Sequence, residues 1–172
     1  MLEEYHRKRD FSKSPEPEGR KGEKGDMDIK IIDKEEIKEN GKKNGEKNGI
    51  FVIHEHKSRR LHWDLRLEMG GVLRSWAVPK NPVDVNNGIK RLAIQVEDHP
   101  IEYAEFEGTI PEGSYGAGTV EIYDSGELVV EEETDSKISF QLKGKKLTGK
   151  YALVKVPNMG KNSWLFFKMI QF

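Results

Sequence analysis

The chain has 172 residues, a charged fraction of 34% and a formal net charge of -1, which fits one domain with part of its length outside the core. That balance carries no global nucleic-acid signal, so only a local basic patch could supply one. There is no cysteine, which excludes disulfide scaffolds, thiolate metal sites and cysteine nucleophiles and agrees with a reducing compartment. No apolar run reaches membrane-spanning length and the charged start lacks a signal-peptide core, so a cytoplasmic protein with no membrane association is expected.

Residues 1–49 are dense in Lys, Glu, Asp, Gly and Asn and poor in aromatics. Such a segment buries too little apolar surface to offset its ordering entropy. Residues 20–49 read as a flexible charged linker ending in the run Asn40–Asn48, with a short helix possible at Asp33–Glu39. Residues 1–19 differ, because Tyr5 and Phe11 offer apolar anchors by which this arm could dock on the body.

From residue 50 to 172 short alternating runs are separated by turn residues, and no helical period of any length is found. The first run, from Phe51, places Val52, His54 and His56 on one strand face. After the polar turn Lys57-Ser58-Arg59-Arg60, His62, Asp64 and Arg66 share one face and Trp63, Leu65 and Leu67 the other. A third run, Val72–Val78, follows the turn Gly70-Gly71. Next come Arg91–Glu97, Ile101–Phe106 and a glycine-rich loop, Gly108–Gly118. Thr119–Tyr123 leads to a turn at Asp124-Ser125-Gly126, then Glu127–Glu133, Lys137–Leu142, Lys146–Val156 and Ser163–Ile170. Many short strands with regular turns predict an all-β fold, a compact closed or partly open barrel or a sandwich, with few short helices.

Two imidazoles and a carboxylate, His56, His62 and Asp64, suit a divalent transition metal such as Mn, Fe or Zn with open positions for substrate. A solvated sheet face is the plain alternative. Convergence of His54, His56, His62, Asp64 and Arg66 on one hairpin face favours a metal or catalytic site, since perturbed groups cluster where chemistry is done. Lys80, Arg91, His99 and Tyr103 are a donor set able to cradle a phosphate if they share that face; singly each reads as an ordinary surface or half-buried residue. The loop Gly113–Gly118 is followed by a β run rather than a helix, so it reads as a tight β connection and not a phosphate loop. Trp63, Trp76 and Trp164 read as core, and Lys143–Lys146 as a solvated hairpin turn.

Three segments, Phe51–Pro82, Arg91–Asp124 and Lys146–Val156 with Trp164–Lys168, together with the N-terminal Arg7–Gly19 (RKRDFSKSPEPEG), closely resemble the 3'-phosphoesterase domain of bacterial DNA ligase D. The resemblance runs from about Tyr5 to Lys168, several long motifs falling in the family's order. It implies a β-barrel with a polar groove and a manganese-dependent activity, other divalent transition metals being possible. That activity removes a 3'-terminal ribonucleoside from a DNA primer–template as a phosphodiesterase, leaving a 3'-phosphate. It then removes the phosphate as a phosphomonoesterase, leaving a 3'-hydroxyl for end joining. The metal ligands it implies are His56, His62 and Asp64. Phosphate-contacting or otherwise essential positions are Arg66, Lys80, Arg91, His99 and Tyr103, with Ser75 in support and Arg9, Asp10 and Glu16 from the arm docked at the groove. Family members commonly carry Gln where this chain has His54, which opens a role for His54 at the phosphate or the metal. A separate ligase, polymerase and end-binding protein are the implied partners of a monomer.

Two other readings compete. A non-haem iron oxygenase could use His62, Asp64 and a later His99, although it would leave His56 and the cations without a role. A non-catalytic nucleic-acid-binding barrel would call for stacking aromatics on the binding face, whereas the aromatics here fall mostly on the expected core face.

Overall fold

The computed structural model describes residues 1–19 and 46–170. Eight antiparallel strands close into a barrel in the order β1 (Lys47–Lys57), β2 (Leu61–Met69), β3 (Val72–Val78), β4 (Arg91–His99), β9 (Ser163–Lys168), β8 (Thr148–Lys155), β7 (Lys137–Lys143) and β6 (Gly118–Glu133). Pairing of β6 back to β1 completes the circle, and the short β5 (Gly108–Ile110) pairs along β6. Closure leaves no unpaired edge between β1 and β6. The other elements among the described residues are a one-turn helix, α1 (Glu3–Arg7), and three 3₁₀ turns at Pro82–Asn87, Ile101–Glu105 and Pro157–Met159.

One set of alternate residues fills the barrel. Phe51 and Ile53 of β1, Trp63, Leu65 and Leu67 of β2, and Trp76 and Val78 of β3 meet Phe140, Tyr151, Leu153, Trp164 and Phe166 from the far side. The other set on β1 and β3, including Val52 and Leu73, faces outward. It packs against Tyr5, Tyr103, Ala104, Phe106 and Ile110 in a second apolar cluster. The outside of the β1–β3 sheet is thus covered by the arm, the 3₁₀ turn Ile101–Glu105 and β5. This outer layer, not the barrel interior, is where polar groups collect.

Several sequence expectations change. The 20–49 linker and the Asp33–Glu39 helix fall largely or wholly outside the described residues, but Lys47, Asn48 and Gly49 belong to β1, paired with Val130, Val129 and Leu128. Composition misses this because the pairing is made by backbone, not side chains. Ile101–Phe106 is not a strand: Pro100 caps a 3₁₀ turn, with Tyr103 N–H donating to its carbonyl. The expected turn at Asp124-Ser125-Gly126 is instead the middle of the 16-residue strand β6. There a Cβ on Gly126 would lie 2.0 Å from the Lys143 carbonyl oxygen, so glycine marks a close backbone approach rather than a bend. The Asp124 carboxylate accepts from the backbone N–H of Lys145, Lys146 and Leu147, which stitches the β7–β8 turn onto β6.

Candidate active site

Strand register assembles the centre of the site. His56 stands opposite His62, His54 opposite Asp64, and Arg66 opposite both Val52 and Ser75. Residues directly opposed in an antiparallel pair hold their Cβ atoms within about 5.5 Å, so the two-residue period of each strand becomes a patch of imidazole, carboxylate and guanidinium. One ligand atom each from His56, His62 and Asp64 lies within 4.8 Å of the others.

Backbone carbonyls orient both imidazoles. His56 Nε2 lies 2.7 Å from the Gly116 carbonyl and His62 Nδ1 3.1 Å from that of Arg60. If those nitrogens donate, the inward atoms are His56 Nδ1 and His62 Nε2, at 3.5 and 3.3 Å from Asp64 Oδ2. Two imidazole lone pairs and a carboxylate converging without a cation would repel one another. Two nitrogens and one oxygen, each imidazole steadied from behind by a carbonyl, therefore fit a divalent transition ion. Burial opposes charge on His62, but the hydrogen bond and charge of Asp64 together with the Arg60 carbonyl outweigh it and raise the pKa. Burial likewise opposes the Asp64 charge, yet the Arg66 guanidinium and the two histidines hold that carboxyl well below its ordinary value.

Arg66 sits beside the cluster, its guanidinium donating to Asp64 Oδ2 at 3.4 Å, Ser75 Oγ at 3.0 Å and His54 Nδ1 at 3.1 Å. The Tyr103 ring lies 4.8 Å below it. His54 passes its other nitrogen to the Phe106 carbonyl at 3.0 Å. It is fully buried behind Arg66, and burial with the adjacent guanidinium pushes its pKa down to about 3.

The arm supplies the opposite wall. Tyr5 is buried and its hydroxyl donates to the Pro17 carbonyl, clasping the arm's two ends. Arg9 donates to Glu16 at 2.9 Å and stacks 4.0 Å over the Tyr5 ring, and its Nη2 lies 3.3 Å from His99 Nε2. Glu16 also accepts from Tyr103 Oη at 2.7 Å and Ser14 Oγ at 2.8 Å. With Arg9 donating to Nε2, His99 turns its Nδ1–H to the Glu97 carbonyl at 3.0 Å. Burial first, then Arg66 and Arg9, hold its pKa well below the usual histidine value, so this imidazole is neutral. Burial pushes the Tyr103 phenol up, and the Glu16 carboxylate adds to the effect.

Of the thirteen residues singled out in the sequence, Arg9, Glu16, His56, His62, Asp64, Arg66, His99 and Tyr103 line one groove of about 310 Å³. Ser75 and His54 lie one layer behind, contacting Arg66. Asp10 is exposed and closes a turn by accepting from Ser12. Lys80 is exposed beyond β3, and Arg91 is tied to Asp84 and the Asn81 carbonyl. Two residues along β4, Ala93 is a barrel-interior residue, so Arg91 stands on the face turned away from the groove, and neither cation lines it. Sequence reasoning passed over Glu97, which pairs with Lys8 at 2.8 Å, and Tyr115, both of which line the groove. A carboxylate inside an alternating strand and an aromatic inside a glycine-rich loop were the signals available.

The profile of the DNA ligase D 3'-phosphoesterase domain matches residues 54–155, which hold the whole of this cluster. The chain belongs to that family. It is 41% identical over 173 residues to the multifunctional non-homologous end joining protein LigD of Pseudomonas aeruginosa, covering 97% of this chain and 18% of that protein. Against the LigD of Mycolicibacterium smegmatis it is 44% identical over 179 residues, 98% of this chain and 20% of the relative. For the Mycobacterium tuberculosis LigD, a non-homologous end joining DNA repair protein, the figures are 44% over 158 residues, 90% and 18%. The chain thus spans about a fifth of the length of these relatives. A phosphoesterase domain of end-joining repair proteins accounts for a metal-compatible cluster set beside guanidinium groups. No described helix is long and apolar enough to cross a membrane.

Proposed function

We propose that the chain is a manganese-dependent 3'-end-healing phosphoesterase. It removes a terminal ribonucleoside from a DNA primer as a phosphodiesterase and then the resulting 3'-phosphate as a phosphomonoesterase. The observation that carries this reading is the cross-strand cluster His56–His62–Asp64 with Arg66 beside it in a groove also lined by Arg9. A bound divalent ion would supply Lewis acidity toward a phosphate oxygen and a more acidic water, held by His56, His62 and Asp64.

The chain's own groups suggest the remaining roles. Arg66, and Arg9 on release from His99, offer planar N–H pairs to non-bridging phosphate oxygens, where negative charge builds as water attacks phosphorus. Ser75, His54 and Tyr103 hold Arg66 in place. Neutral His99, with a lone pair at Nε2, suits accepting a proton from water or a ribose hydroxyl better than protonating the leaving oxygen. Tyr103, its phenol committed to Glu16, is better suited to positioning than to proton donation. In the first step the bond between phosphorus and the terminal nucleoside oxygen breaks, and water supplies the new oxygen. In the second the bond to the 3'-oxygen breaks.

No observation favours an oxygenase or a binding-only barrel. The second imidazole beside Asp64 is His56, while His99 is engaged by Arg9 and the Glu97 carbonyl. The test is a labelled primer–template ending in one ribonucleotide, with and without manganese, beside a matched 3'-phosphate primer. Manganese-dependent appearance of a 3'-phosphate and then a 3'-hydroxyl is expected. No product with any divalent ion from folded protein would overturn the reading.

A further inference from the structure

A second cleft, of about 850 Å³, opens beside the groove between the β1–β2 turn and the loop that follows β5. Lys57, Ser58 and Arg59 form one wall and Glu112 with the glycine-rich loop the other, and Ser58 and Gly116 line both groove and cleft. Lys57 and Arg59 are exposed and form no ion pair with another described residue. The two walls are held together. At Gly118 an added Cβ would lie 2.1 Å from the Lys57 carbonyl oxygen, so the first residue of β6 rests directly on the last of β1, at the foot of both walls. The loop is also tied to the candidate metal cluster through the bond between the Gly116 carbonyl and His56.

The groove has another neighbour. A smaller pocket, of about 170 Å³, shares Arg9, Glu16 and Tyr115 with it and is bounded by Lys8 and Lys13 of the arm. A phosphodiester seated in the groove must continue in two directions, toward a single terminal nucleoside and toward the retained strand. The smaller pocket, with the buried Glu16 carboxylate in its wall, has no room for a run of phosphates. The larger cleft is open, continuous with the groove, and carries two cations against one carboxylate.

We propose that the Lys57–Arg59 cleft is the track for the phosphate backbone of the strand whose 3' end occupies the groove. This rests on the reading of the groove as a 3'-end site. Lys57 and Arg59 contact successive phosphates, and Ser58 marks where the track meets the groove.

The experiment measures affinity for a primer–template ending in a plain 3'-hydroxyl deoxynucleotide, the product of the proposed reaction, by fluorescence anisotropy across a salt series with manganese present. The variants are Lys57→Ala combined with Arg59→Ala, and Lys145→Ala combined with Lys161→Ala, which removes the same charge from loops outside the cleft. For the cleft pair, affinity should fall about tenfold at low salt, and the slope of log K against log[salt] should flatten by about 2, one for each phosphate no longer neutralised by a side chain. The second pair should leave the slope at its wild-type value. An equal slope change in both pairs, or an affinity within about twofold of wild type in the cleft pair, would overturn the track. Because binding is read without turnover, this failure is distinct from an absence of hydrolysis, which bears on the groove itself.

Discussion

The Arg66 guanidinium donates through Nε to His54 Nδ1 across 3.1 Å, inside a layer where both side chains are buried. A single imidazole therefore accepts from Arg66 and donates to the Phe106 carbonyl, which requires the neutral Nε2–H form. His54 is thus placed to support the arginine rather than to hold a metal or a phosphate.

A glutamine side chain carries the same acceptor and donor pair, so His54→Gln should keep activity within several-fold of wild type. His54→Ala leaves the Arg66 Nε–H and the Phe106 carbonyl without partners, at a cost of about 2 kcal/mol, and lets Arg66 swing. Urea denaturation and primer-end hydrolysis measured on both variants check this. Equal damage from Gln and Ala would show that the imidazole itself matters.

Replacing His62 or His56 with Ala, or Asp64 with Asn, removes one of the three candidate ligand atoms. Each change should weaken manganese binding by more than about a hundredfold, the upper end of what losing a group behind a ligand costs, and abolish both proposed hydrolytic steps. Calorimetric metal titration of each variant is the measurement. Wild-type affinity in the Asp64→Asn protein would remove Asp64 from the ligand set.

The metal-free chain should lose stability as pH falls from about 6.5 to 5. The unfolded chain takes up a proton on each histidine near pH 6.5, whereas buried His54, held down to about 3, and His99, held well below its ordinary value, stay neutral in the fold. Each contributes a slope of roughly 1 kcal/mol per pH unit in that window. His62 works in the other direction, adding stability that is complete below about pH 6.5 and disappears as pH rises through its raised folded value. Asp64, whose pKa is depressed, withdraws its share only below about pH 4. Urea unfolding in chelator between pH 7 and 5 should show the slope, and His54→Gln should reduce it by about half.

Glu16 accepts from Arg9, Ser14 and Tyr103 while only 4% exposed. Glu16→Ala leaves the Arg9 guanidinium with Glu97 at 3.7 Å as its remaining carboxylate and strands the Tyr103 hydroxyl, a loss of about 2 kcal/mol. The arm should then exchange amide hydrogens and be cut by protease faster than the barrel. Protection of residues 5–17 equal to wild type would show that Tyr5 and Phe11 suffice to seat it.

The centre of the site was legible because it follows a two-residue period: His62, Asp64 and Arg66 separate cleanly from Trp63, Leu65 and Leu67. The barrel class followed from the same alternation. Less legible was whatever depends on long-range placement. Arg91 carries the right chemistry, but its partner is Asp84. Conversely, Glu97 and Tyr115 reach the groove from a strand end and a loop whose approach to the hairpin no local pattern states. Gly126 looked like a turn because close backbone packing and tight bends call for the same residue. The barrel closure between Lys47 and Val130 rests on peptide groups, which composition does not register.

On β2, then, the pleat that fills the barrel is also the one that spaces the candidate ligands. Inserting or deleting one residue between the turns at Lys57–Arg60 and Gly70-Gly71 would exchange the two faces, driving Asp64 and Arg66 into the hydrocarbon interior and Trp63 and Leu65 into the groove. Substitutions can therefore retune individual groups on this hairpin, whereas a change in its length would cost the fold and the chemistry together. A phosphoesterase built this way should tolerate variation in loop length at the β7–β8 turn far better than at β2.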